Sequence, residues 1–404
     1  MPRLIAALRT FWTRARWSAA SRPSLRQLLA LLAFSALLCL PNLRLLARPY
    51  VITELCAYDD YWLLKGLDAG HSLSDAVGWF HGDWPEHNRF YRPLAAVSLW
   101  LDYLLYGWNP YPYRVTNLIL YALTAVVLGL FVSVFTRRRD FAVASVAIFC
   151  LYPQSGSQAV IVTFNPRGDL LCGLFYLAAL YCAVRHARYR EVRYLAWFAL
   201  CLALALLSKE MALSLPLVAT VTLLLTPRLP LRRALRPIAV LLAASVVVGL
   251  CWYLAYRHAV PARLASGSPQ IIASTWLMCA GTMLEDLTVL GLWVRSAPYW
   301  ADFISCYVPT SLLRLGVWIA ALVFIARRQW RFVAYFLLWG ILTWLPLITT
   351  HTQAPHYAYL PQLNRAIVAG PFAVMVIEAS RQKWETTRNK KSAEISAPQP
   401  PKPV

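Results

Sequence analysis

Along most of the chain, long apolar runs alternate with short polar segments, many of them basic. A helix needs about 20 mostly apolar residues to cross a bilayer, fewer where it is short or broken. Runs near 27–47, 114–135, 141–153, 168–184, 194–208, 211–227, 238–256, 310–326, 332–348 and 363–379 meet or approach that length. The pattern predicts an all-α, polytopic membrane protein with about 10 transmembrane helices. It divides the chain into a basic N-terminus at 1–26, a membrane core at 27–379 and a polar, Pro-rich tail at 380–404, expected to be disordered.

Two apolar stretches do not fit a simple count. PLAAVSLWLDYLLY at 93–106 is short and is closed by Gly107, Asn109 and two prolines. Counted as a span it would turn the next loop over, so we place it along the outer membrane surface. It would end a first outer loop at 48–113. The run at 270–295 is long enough to cross but carries Glu285 and Asp286 midway, and reads as a re-entrant or surface-lying pair of helices.

Charge supports one orientation. The net charge of +21 is concentrated in clusters between apolar runs: RRR at 137–139, RHARYREVR at 185–193, RLPLRRALR at 228–236 and RRQWR at 327–331. Such clusters mark the cytoplasmic side of a membrane rather than a nucleic-acid-binding stripe. With ten spans they all fall inside, as do both termini, giving a multi-pass plasma-membrane protein. Glu54, Asp59, Asp60, Asp68, Asp75, Asp83 and Glu86 then share the first outer loop, with Glu210 also outside. Composition agrees: 59% of residues are hydrophobic and 14% charged, with 17 Trp and 21 Tyr. The nine Cys show no CxxC or Cys/His metal spacing and read as buried small side chains. The first apolar run lacks a clear cleavage site, so it is expected to stay in the protein.

Candidate chemistry gathers at the outer ends of the runs. AYDDYWLL at 58–65 puts Asp59 and Asp60 just past the first run, with Tyr61 and Trp62 suited to the interface. Polar clusters follow at QSGSQ (154–158), NPRGD (165–169), SKE (208–210) and HTQAPHYAYLPQ (351–362). Ionisable groups at membrane depth are costly and usually face a protein interior or a watery cavity, so clusters at one level suggest one outer pocket. A carboxylate there can take a proton from a hydroxyl group. Arg92, Arg167, Lys209 and Arg365 are the candidates to hold a phosphate. A solvated outer face is the plainer alternative, and for Lys209 and Glu210 a local ion pair. No phosphate-binding GxxxxGK[ST] loop and no GxSxG motif is present.

A spaced series of segments carries a resemblance: YDDYWLL at 58–64, FYRPLAAVSLWLDYLLYGWNPYPYRVTNLILYAL at 90–123, FNPRGDLLCGLFYLAALYC at 164–182, LALLSKEMALSLPL at 204–217 and HYAYLP at 356–361. In order and spacing these resemble the integral-membrane glycosyltransferases of the GT-C type. The nearest branch is the membrane core of tetratricopeptide-bearing O-mannosyltransferase-like proteins. The resemblance implies a GT-C fold with surface-lying helices in the first outer loop, and transfer of a sugar from a polyprenyl-phosphate carrier. The catalytic base would be Asp60 or Asp59. The donor phosphate would meet Arg92, Lys209, Arg365 and Arg167, within a pocket lined by Glu210, Asp169, His356, Tyr357 and Tyr359. His356 stands where such relatives often carry Arg. No tetratricopeptide repeats are expected after the core, and the hydroxyl acceptor stays open among protein, lipid and glycan.

The implied mechanism is a single displacement that inverts the anomeric centre, with the polyprenyl phosphate as leaving group. A divalent cation, Mg²⁺ or Mn²⁺, would suit paired carboxylates, though no ligand set is evident in the sequence. Mannose is what the nearest branch suggests, and the bacterial inner membrane is the expected location. A transporter or flippase of a lipid-linked or small anionic substrate is the rival reading; an inactive scaffold is a third.

Overall fold

A computed structural model describes residues 23–46, 55–86, 90–151, 155–260, 308–344, 346 and 355–396. The run at 270–295 and the N-terminal residues 1–22 lie outside them. Every element is helical among the described residues.

Local chemistry sets most of the boundaries. Helix α1 (Leu25–Cys39) opens on a capping box, in which Ser24 and Gln27 satisfy each other's backbone N–H groups. Pro41 tightens the chain into a 3₁₀ turn (Leu40–Asn42) before a last helical turn, Leu43–Leu46. The segment expected to form the first outer loop holds α2 (Leu55–Ala69), α3 (Leu73–Gly78) and α4 (Pro93–Tyr106). Pro93 in the first turn and Gly107, at φ 55, close α4 at the ends read from the sequence. Helix α5 (Pro110–Thr136) starts where Asn109 accepts the Tyr111 N–H. Then come α6 (Arg139–Leu151), α7 (Ser155–Val162), α8 (Arg167–Tyr189) and α9 (Arg193–Ser208). A 3₁₀ turn (Glu210–Ser214) leads into α10 (Leu215–Leu225). Helices α11 (Leu231–Ala259), α12 (Val308–Trp344) and α13 (Tyr359–Ser396) follow among the described residues, the last preceded by a 3₁₀ turn at Pro355–Ala358.

The expected count of about 10 transmembrane helices is corrected. Among the described residues, five helices are long and apolar enough to cross: Leu25–Leu46, Pro110–Thr136, Arg167–Tyr189, Leu231–Ala259 and Tyr359–Asn389. The run at 141–153 is α6, only 13 residues long, and 194–208 is α9, with 16. At about 1.5 Å per residue α9 reaches roughly 24 Å, short of a hydrocarbon core of about 30 Å. The run at 211–227 divides into a 3₁₀ turn and the 11 residues of α10. The runs at 310–326 and 332–348 fall in one element, α12, whose helical geometry breaks at Gln329 (φ −152°, ψ 69°). The parity argument that returned both termini to one side goes with the count. The tail expected to be disordered begins as helix, since α13 runs on to Ser396, with Arg381 and Glu385 paired one turn apart.

Helix α8 is the hub. It packs on α5, α9 and α10, while α13 lies against α6 and α8, and α1 against α5 and α6. Its side chains are buried on nearly all sides, including Tyr176, Leu177 and Leu180. A helix buried on nearly every face belongs in a core, whereas α11 exposes Val246, Val247, Leu250 and Leu254, as a lipid-facing surface does. The outer loop has a smaller core of its own, in which Leu63, Leu67, Trp79, Trp84, Leu99 and Trp100 pack with Tyr113 and Phe164. Gly66 is required there, because a Cβ would stand 2.0 Å from the carbonyl oxygen of Pro85.

Candidate functional site

The FNPRGD segment between α7 and α8 joins the outer loop to the helical core, and three of its residues do so through buried polar bonds. Asp60 on α2 is fully buried; its carboxylate accepts the backbone N–H of Phe164 (3.2 Å) and of Asn165 (2.7 Å). The Asn165 side chain donates to Glu86 (2.5 Å). Arg167, also fully buried, donates to Asn117 (2.5 Å), Ser98 (3.0 Å), Asp102 (2.6 Å) and the carbonyl of Tyr113 (3.3 Å). Its guanidinium ties α4, α5 and α8 together and is committed to protein partners.

Two residues further on the chemistry changes. Asp169, in the first turn of α8, accepts a bond from Lys209 Nζ (2.6 Å), and both side chains are 1% exposed. Gly168 permits this, since a Cβ there would stand 2.7 Å from the Ser208 carbonyl oxygen. Glu210 turns away from its neighbour Lys209 and binds Arg92 at the head of α4 through two bonds, to Nε (3.0 Å) and Nη2 (2.5 Å). Lys209 and Glu210 are therefore not a local pair: each reaches a different, sequence-distant partner. His356, in the turn before α13, brings Nε2 to 4.0 Å from Asp169. The ring of Tyr357 lies 4.6 Å below Lys209 and against His356. Arg92 itself lies over the rings of Phe90 and Trp84.

The site is charge-balanced: two cations, two carboxylates. Burial works against the Arg92 charge, but the Glu210 pair outweighs it and holds the guanidinium above its ordinary value. Burial likewise opposes ionisation of Glu210, and Arg92 outweighs it, leaving the carboxyl down at about 2. Burial, with Lys209 and Arg92 nearby, holds the His356 imidazole well below its usual range, so it is neutral. Among the described residues two buried atoms of this group, Asp169 Oδ1 and His356 Nδ1, have no hydrogen-bond partner.

No family model matches the chain, and no solved structure matches it. The chain is similar to the human protein named Protein O-mannosyl-transferase TMTC2. The two are 27% identical over 159 residues, 38% of this chain and 17% of that protein. The likeness is distant and covers less than a fifth of the relative's length. The chain's own architecture, all-helical with several apolar spans, is that of a multi-pass membrane protein.

The other sequence candidates occupy distinct places. Asp59 precedes Asp60 on α2, about 100° around the helix. It is partly buried, and burial pushes its carboxyl up. Tyr359 is fully buried at the head of α13, pressed on α8 at Gly173, where a Cβ would stand 2.7 Å from its ring. Arg365 is buried further along α13. Asp59 and Asp60 leave α2 in different directions, and the Asp60 carboxylate accepts the two backbone N–H groups of Phe164 and Asn165. Among the described residues no group of three or more His, Cys, Asp or Glu side chains could hold a metal ion. Sequence reasoning missed Asp102 and Asn117, the partners of Arg167. Each is a lone polar residue near one end of an apolar run, and that isolation was the available signal.

Proposed function

We propose that the protein is a glycosyltransferase of the membrane that moves a sugar from a polyprenyl-phosphate donor to a hydroxyl acceptor. Its site lies at the face carrying Arg92, Asp169, Lys209, Glu210 and His356. The observation that supports this reading best is the meeting of two buried cation–carboxylate pairs, drawn from α4, α8 and the α9–α10 junction. Buried cations at a membrane protein's helix ends suit a phosphate tethered to a lipid, and each carboxylate keeps its cation charged and aimed before the donor arrives. The likeness to a protein named as an O-mannosyl-transferase points to the same chemistry, and makes mannose the first sugar to test.

In the proposed reaction Asp59 takes the proton of the acceptor hydroxyl. The acceptor oxygen forms a bond to C1 of the sugar as the C1–O bond to phosphate breaks. The electron pair leaves on the phosphate, whose charge Arg92 and Lys209 stabilise. Attack opposite the leaving group inverts C1. Asp60 and Arg167 act as positioning residues, holding the 164–167 backbone from which α8 presents Asp169. No step runs through a metal. On this reading the site faces away from the cytoplasm, as at the outer face of a bacterial inner membrane.

The test is sugar transfer by the purified full chain in nanodiscs, offered labelled polyprenyl-phosphate sugars and a membrane extract as acceptor. Transfer by the wild type, lost in an Asp59→Asn protein that unfolds at the wild-type temperature, supports the proposal. A folded wild type that binds donors yet moves them across the bilayer without turnover would replace it with transport.

A further inference from the structure

The far end of α8 carries a second charged group, and here the charges are not balanced. Helix α8 has 23 residues, so its two ends stand about 34 Å apart. Arg188, in its last turn, donates through Nη2 to the carbonyl of Phe135 at the end of α5 (3.1 Å) and to that of Pro227 after α10 (3.1 Å). Arg137 follows Phe135 by two residues, and Arg228 follows Pro227 directly. One guanidinium thus pins the two backbone segments that present two more. Arg137 and Arg228 are the like charges acting on Arg188.

Both presenting residues hold left-handed backbone, Arg137 at φ 60 as the cap of α5 and Arg228 at φ 60 in the turn leaving α10. That conformation is uncommon for a residue with a Cβ, and glycine usually supplies it at a helix end. Both side chains are exposed. The neighbouring carboxylates are engaged elsewhere: Asp140 and Glu378 with Arg138, and Glu191 with Arg193 and Arg185. Among the described residues no ion pair involves Arg137, Arg188 or Arg228, and Arg188 Nε is buried without a hydrogen-bond partner. Three guanidiniums held together without an acid repel one another, and an anion with several acceptor oxygens relieves that repulsion.

We propose that Arg137, Arg188 and Arg228 form a phosphate-binding site at the end of the helical bundle opposite the candidate transfer site. Arg137 and Arg228 offer guanidinium forks to the phosphate oxygens, and Arg188 fixes the spacing between them. The ligand is a phosphate monoester or inorganic phosphate; a lipid headgroup and a soluble anion share that chemistry. The inference does not depend on the proposed transferase activity.

Native mass spectrometry of the full chain in detergent tests it, with phosphatidic acid and phosphatidylcholine as lipid probes. Inorganic phosphate is added as competitor. The wild type should retain phosphatidic acid over phosphatidylcholine. Arg137→Gln with Arg228→Gln should weaken that retention by about tenfold or more, through loss of charge-assisted bonds. Arg232→Gln with Arg236→Gln removes the same charge from exposed positions of α11 and should leave it unchanged. If the first double variant does not fold, Arg137→Lys with Arg228→Lys keeps the charge but loses the forks, and should still weaken retention. Displacement of the lipid by inorganic phosphate assigns the site to a soluble anion, and resistance to displacement assigns it to a headgroup. Equal weakening by both glutamine pairs, weakening by neither, or no retention by the wild type overturns the proposal.

Discussion

Adjacent aspartates on α2 have been given different surroundings. Asp60 answers two buried backbone N–H groups, so Asp60→Ala leaves both without a partner. The cost should be on the order of 2–4 kcal/mol, read as a fall in the unfolding midpoint. Asp59→Asn should leave the midpoint unmoved and remove transfer; an active Asp59→Asn protein would take the base away from Asp59. Arg167 predicts a coupled result. Arg167→Met strands the Asp102 carboxylate in the core and should cost about 3–5 kcal/mol, and adding Asp102→Leu should recover much of it. His356 predicts a pH dependence. Its imidazole is neutral when buried and takes up a proton when the chain unfolds, so the unfolded state binds more protons below its ordinary pKa of about 6.5. Stability should therefore be full above that value and fall as pH drops through it, by at most about 1.4 kcal/mol per pH unit. His356→Gln should flatten the difference between unfolding midpoints at pH 7 and pH 5.5. An unchanged slope would mean that His356 is charged in the folded protein.

Helix boundaries divide into those written locally and those decided by a neighbour. Both ends of α4 were legible, because proline cannot be avoided at one and glycine relieves the other. The junction of α9 and α10 was not, since SKE reads equally well as the middle of a loop and as the seam of a site. It became a seam because α8 passes close over it at Gly168, with no side chain in the way. Gly168→Ala should push α8 from the Ser208 backbone, lengthen the Lys209–Asp169 pair and cost about 1–3 kcal/mol, the range for overpacking. Transfer should fall more than stability does, because the pair that orients Lys209 is the first thing displaced. Wild-type unfolding and wild-type transfer in that variant would show that the close approach is not needed.

At the scale of the molecule, the two ends of α8 differ in the balance of their charges. A span of that length puts them on opposite sides of a membrane. In a chain whose nine native cysteines are replaced by alanine or serine, Ser74→Cys before α4 and Arg190→Cys beyond α8 should therefore react with an impermeant maleimide from opposite faces of a sealed vesicle. Labelling of both from one face would mean that α8 does not cross.

The sequence by itself determined that the chain is helical and membranous, where its basic clusters lie, and which polar segments interrupt the apolar runs. These follow from composition and from spacing along the chain, which need no partner. It could not count the spans, because an apolar run shows only that a segment avoids water; α6 and α9 are apolar and yet too short to cross. Nor could it pair the charges. Arg92 with Glu210, Lys209 with Asp169 and Arg167 with Asp102 join residues far apart in sequence, and only the packing of α4, α8 and the α9–α10 junction brings their opposite charges within bonding distance. Tertiary structure decided that Arg167 is a girder and that Arg92 and Lys209 each lie beside an acid, because a buried charge must be met by whichever opposite charge the fold delivers.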